Sequence, residues 1–131
     1  MHQAIEIHDS DLAEVFVEKD LIRRFTEVIL FESEGEPGVD FSTIWTQAAF
    51  ISIAATSVHN TFTHWPVSLP GGYLKIDGVL FDNMIPLPLD QAGEVELWFE
   101  GLDCETLHIT GTHIQTQLIG QPKYLEVFPP D

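Results

Sequence analysis

Between Phe41 and Leu74 the chain carries no Asp, Glu, Lys or Arg, although acidic residues crowd both sides of the gap. Residues 1–40 hold eleven carboxylates and residues 77–131 hold the other ten. Ionised side chains are costly to bury, so a long stretch without them belongs where water is excluded. Ile44, Trp45, Phe50, Ile51, Ile53, Phe62, Trp65 and Leu69 supply its apolar surface, and Thr43, Thr46, Gln47, Ser52 and Asn60 keep it polar without charge. Two placements accommodate this mixture. Either the stretch forms central strands buried on both faces, or one face is a ligand pocket or subunit interface. The core reading is preferred, and the second makes residues 41–74 a candidate self-association surface.

The flanking segments alternate with a period of two, as strands with one buried face do. Ile5 and Ile7 alternate with Glu6 and His8, and Leu74 and Ile76 with Lys75 and Asp77. The cleanest case sets Val95, Leu97 and Phe99 against Glu94, Glu96, Trp98 and Glu100. Further alternation covers Leu107–Ile109, Ile114–Leu118 and Tyr124–Phe128. Turn-forming residues punctuate these runs at Glu36-Pro37-Gly38, Pro70-Gly71-Gly72, Asp77-Gly78, Gly93, Gly101, Gly111 and Gly120-Gln121-Pro122. Together they predict a single all-β domain over residues 1–131, an antiparallel β-sandwich or flattened barrel of roughly eight to ten strands. The final forty or so residues read as an antiparallel meander.

Two segments need separate treatment. Leu12, Val15 and Phe16, and then Leu21, Phe25 and Val28, sit at helical spacing, and Asp11 with Glu14 could form a capping box. Against that, Glu18-Lys19-Asp20 looks like a turn between two β-branched runs, so two strands are expected, with a helix across 20–31 as the alternative. The Ile85-Pro86-Leu87-Pro88-Leu89 segment cannot be a central strand, because its prolines lack ladder donors. It is expected as an extended edge or a polyproline-like connection covering one end of the domain.

Charge narrows the partners. With 21 acids against 5 bases, the formal net charge of −16 repels phosphate backbones and anionic lipid, so neither nucleic acid nor a membrane surface is expected. A basic protein is the partner such a surface attracts, although solubility alone also favours acidic surfaces. Cys104 is the only cysteine, so no internal disulfide forms. The opening residues lack the basic and apolar regions of a signal peptide, and the cytoplasm is the expected location.

Candidate chemistry is sparse. His59 and His64 flank one expected turn and His108 and His113 another, so these four are the candidate metal ligands. Zinc needs three or four ligands converging at about 2 Å, and spacing fixes no third ligand here. Asp9-Ser10-Asp11 reads as a tight turn rather than a calcium loop, whose further ligands are missing. Cys104 and His108 would stand about 13 Å apart on a strand, too far for a nucleophile and its base. Glu94, Glu96 and Glu100 fit a solvated outer face better than a glycosidase pair. Trp45, Trp65 and Trp98 are the candidate ligand-stacking or interface residues, and Trp98 is the best placed because it shares the charged face of its strand. No catalytic residue and no cofactor is expected.

Several fragments together carry a resemblance. They are Ile7-His8-Asp9-Ser10-Asp11-Leu12, Pro37-Gly38-Val39-Asp40 followed by Trp45-Thr46-Gln47-Ala48, Ile85-Pro86-Leu87-Pro88-Leu89, and Tyr124-Leu125-Glu126-Val127-Phe128-Pro129. In these the chain resembles a group of small uncharacterised bacterial proteins of unknown function, over nearly its whole length. The resemblance implies a compact all-β domain and no catalytic residue. The His-Asp-Ser opening is also similar to that of some immunity proteins of bacterial toxin systems. The expectation is therefore a non-catalytic binding or interaction module. The alternatives are an immunity-type inhibitor of a basic toxin and a histidine-based metal protein or enzyme.

Overall fold

A computed structural model of the chain describes residues 2–18 and 21–128, with the backbone alone at 14, 16–18, 21–27 and 128. Nine strands follow one another: β1 (His2–Glu18), β2 (Leu21–Ser33), β3 (Ser42–Asn60), β4 (Val67–Ser68), β5 (Gly71–Ile76), β6 (Val79–Asp82), β7 (Met84–Leu87), β8 (Asp90–Glu100) and β9 (Thr106–Phe128). They form one antiparallel sheet in the order β4-β1-β2-β3-β9-β8-β5-β6, with β7 also paired to β1. The expected class and strand number are those observed. No helix among the described residues is long and apolar enough to cross a membrane.

The sheet curls without closing. Ile5 and Ile7 on β1, Leu30 on β2, Ile51 and Ile53 on β3, Leu74 on β5, Leu97 on β8 and Leu107 on β9 all belong to one buried cluster. Strands far apart in the sheet order therefore share one interior. Asn83, between β6 and β7, joins the two ends. Its carbonyl accepts from the Ile7 N–H at 2.8 Å, and its own N–H donates to the Gly72 carbonyl at 3.1 Å. Its Oδ1 accepts from the His8 N–H at 2.8 Å.

β3 runs through the uncharged stretch and pairs with β2 on one side and β9 on the other. That central position is why charge is absent from it. Ile51 and Ile53 are buried, while Trp45 and Phe50 keep partial exposure.

Leu21–Ser33 is strand and not helix, because its backbone pairs with β1 and β3 together. Pairing on both sides outweighs helical spacing in a segment that also contains β-branched residues. β1 and β2 pair as far as Glu18 and Leu21, and the rest of the expected turn, Lys19 and Asp20, lies outside the described residues. Asp77-Gly78 makes the expected tight hairpin, with φ of 48° and 81° and Ile76 paired to Val79. β7 pairs with β1, so the proline-rich segment is an extended strand with Ile85 fully buried.

Four expected turns lie inside strands instead, one of them Gly93, within β8 where the register with β9 shifts between Ala92 and Val95. Asp9-Ser10-Asp11 lies inside β1, where the register with β2 shifts between Glu6 and Asp11. Asp9 has φ of 69°, and the Ser10 hydroxyl donates to the Glu6 carbonyl while accepting from the Ile29 N–H at 3.0 Å. Gly111 and Gly120 do not end strands: β9 runs unbroken from Thr106 to Phe128, so residues 90–128 form one hairpin and not the expected meander. Irregular register against β3 near both glycines bends this long strand around the core. A Cβ on Gly111 would overlap the Ala54 carbonyl oxygen, so close strand approach explains that glycine.

Candidate functional site

The outer face of β5, β8 and β9, with the end of β3, carries a continuous row of side chains. Register places Asp82 opposite Tyr73, Tyr73 opposite Trp98, Trp98 opposite His108 and His108 opposite His59. Their neighbours explain why these residues point outward. Leu74, Leu97 and Leu107 fill the core, and the strand period turns the intervening residues to solvent.

Glu96 sits at the centre of this face. It accepts hydrogen bonds from His108 Nε2–H and from the Tyr73 hydroxyl, each at 3.0 Å. Lys75 Nζ lies 3.9 Å from its Oε1. The His108 hydrogen bond, reinforced by that of Tyr73, holds the Glu96 carboxyl below the usual carboxylate range, and partial burial opposes the shift only weakly. The Tyr73 phenol is pushed up by burial first, and then by its hydrogen bond to Glu96 and the charge of that carboxylate. Tyr73 and Trp98 form a tilted aromatic pair with centroids 5.5 Å apart and planes at 31°. Lys75 lies 5.9 Å from the centre of the Tyr73 ring.

Two depressions flank the row. One, of about 290 Å³, is lined by Tyr73, Trp98, Asp82, Asn83, Glu100 and His8, among others. The other, of about 560 Å³, lies toward Lys75, Glu96, Thr110 and Gly111. A third cavity of about 520 Å³ lies elsewhere, between Pro37, Phe81, Met84 and Leu87, and its walls are mainly apolar.

The four candidate histidines have distinct surroundings. His59 and His108 face each other across β3 and β9. His113 hydrogen-bonds Asp90 at 2.6 Å, and His64 bonds Thr63 at 2.8 Å in the segment between β3 and β4. The expected turn between His108 and His113 is absent, since both lie on β9. Among the described residues, three metal-ligating side chains come together at Glu6, His8 and Asp9, whose ligand atoms lie within 4.8 Å of one another. Burial raises the Glu6 carboxyl, with Asp9 adding to the shift and His8 opposing it.

The tryptophans also separate. Trp98 belongs to the open row. Trp45 donates from Nε1 to the Thr43 hydroxyl at 2.9 Å and meets Tyr124 edge-on at 5.2 Å. Trp65 packs on Phe62 with centroids 5.7 Å apart. Cys104 is exposed in the connection between β8 and β9, with φ of 64°, and not on a strand. Tyr73 and Asp82 were missed by sequence reasoning. Tyr73 lies two residues before Lys75, a spacing that sets both on one face of a strand, but no signal set β5 beside β8.

Comparison of the chain with protein-family models, curated proteins and solved structures returned no match.

Proposed function

We propose that the chain is a non-catalytic binding module of the bacterial cytoplasm whose open face of β5, β8, β9 and the end of β3 receives a basic protein. The row Tyr73–Trp98–His108–His59 carries this reading. Aromatic side chains give large contact area at little entropic cost, and Tyr and Trp are enriched among the residues that dominate interface energies. The formal charge of −16 supplies long-range attraction for a basic surface and repels anionic ones. An immunity-type inhibitor of a basic toxin is one form such a module takes.

The test is calorimetric titration of the protein with an arginine-rich peptide and with a glutamate-rich peptide of equal length. Binding of the first alone, weakening as salt is raised, is the expected result. No binding of the arginine peptide even at low salt would overturn the reading.

A second reading, self-association, is favoured at one corner of the uncharged stretch. Phe41, Tyr124, Leu125 and Val127 are each about half exposed there. Sedimentation over a wide concentration range checks it: a dimer that Leu125→Asp dissolves supports it, and a monomer throughout removes it.

A further inference from the structure

Resting on the basic-partner reading, we propose that the depression beside Tyr73 and Trp98 is a subsite for an arginine side chain of that partner. The protein itself shows the chemistry. Along β5, Lys75 stands on one side of Tyr73 and Gly71 on the other. On the Lys75 side, a cation lies 5.9 Å from the ring centre and 3.9 Å from the carboxylate of its cross-strand neighbour Glu96. On the Gly71 side, the register sets a second cross-strand carboxylate, Glu100, opposite residue 71, and the residue in the cation's place is a glycine.

That glycine opens the depression. Glu100 Oε1 lies 3.0 Å from where a Cβ on residue 71 would stand, so its carboxylate reaches over the glycine. Asp82, opposite Tyr73 on β6, supplies a second carboxylate to the same lining. Trp98 extends the aromatic surface, and its ring is inclined 31° to that of Tyr73. Among the described residues, neither Asp82 nor Glu100 forms a salt bridge.

Two rings and two carboxylates around about 290 Å³ suit a planar cation. Guanidinium stacks on aromatic faces and binds carboxylates with two parallel hydrogen bonds, whereas ammonium is a compact and strongly hydrated charge. The occupant is therefore arginine rather than lysine. It enters from a protein whose basic surface faces this side of the sheet.

The experiment titrates the full chain with an arginine-rich peptide and with the same peptide carrying lysine at every arginine. Wild type is compared with Glu100→Gln, Gly71→Leu and Trp98→Ala, each first checked for a native circular-dichroism spectrum. Glu100→Gln changes an outward-facing group and serves if Trp98→Ala fails to fold. The expected result is about tenfold weaker binding of the lysine peptide to wild type, with loss of that preference in Glu100→Gln and in Gly71→Leu. Equal binding of both peptides, unchanged in these variants, would overturn the subsite while leaving the basic-partner reading intact. If neither peptide binds, both fall.

Discussion

Glu96 and Glu6 show how two carboxylates on one sheet take opposite roles. The His108 and Tyr73 hydrogen bonds stabilise the ionised form of Glu96 and lower its pKa in the folded state. A lowered folded-state value means that the stabilisation is complete above the unfolded carboxylate pKa of about 4.3, and disappears as pH falls through the folded value. Glu96→Gln is therefore expected to flatten the loss of stability between about pH 5 and about pH 3 relative to wild type, measured by urea unfolding. Burial raises Glu6, so its native state binds a proton more readily than the unfolded chain. That carboxylate costs stability as pH rises through its folded value. Glu6→Gln should be more stable than wild type at neutral pH, with the gap closing in acid. A third residue, Ser10, is buried and bridges two backbone groups of β1 and β2. Ser10→Ala leaves the Ile29 N–H without this acceptor and should cost about 1–3 kcal/mol in the same measurement.

Among the elements, β8 was the most legible in the sequence and β9 the least. Strict alternation of Val95, Leu97 and Phe99 with Glu94, Glu96, Trp98 and Glu100 leaves one choice of buried face, and burial follows it. In β9 the same alternation is interrupted by Gly111 and Gly120, which read equally well as turns and as bulges. The choice depends on what lies alongside. β3 runs beside β9 for nearly its full length, and no local pattern announces a partner that distant in the chain. Ser10 was obscured in the same way, because a bulge and a turn use similar residues. Close approach at Gly111 gives a direct check. Gly111→Val drives a side chain into the Ala54 carbonyl and should destabilise the protein by about 1–3 kcal/mol, whereas a turn position would tolerate it better. Leu97→Ala, in the fully buried row of β8, should cost about 2–5 kcal/mol through loss of contact and the cavity left behind.

At the scale of the whole molecule, the gap in charge between Phe41 and Leu74 was a guide for half its length. It covers β3, but it also covers the exposed Thr61, Thr63, His64 and Trp65 and the edge strand β4, which are not central strands buried on both faces. It marked β3 as an interior strand and implied a layered β protein around it. What it could not convey was lateral order. Trp98 was recognisable as an aromatic residue on a charged face, but its neighbours Tyr73 and His108 come from β5 and β9, and Asp82 from β6. The site is thus a product of strand order, which lone sequence patterns do not carry. The acidity that surrounds it is a property of the entire chain, and carboxylates such as Glu32, Glu34, Glu36 and Asp40 lie on β2 and in the segment between β2 and β3. A basic partner has to choose between these regions. The decisive measurement is a set of backbone amide chemical-shift changes as an arginine-rich peptide is added to the labelled protein. Changes concentrated at Tyr73, Glu96, Trp98, Glu100 and His108 are the expected result. Changes centred on Glu32–Asp40, with the β5–β8–β9 face unperturbed, would contradict it.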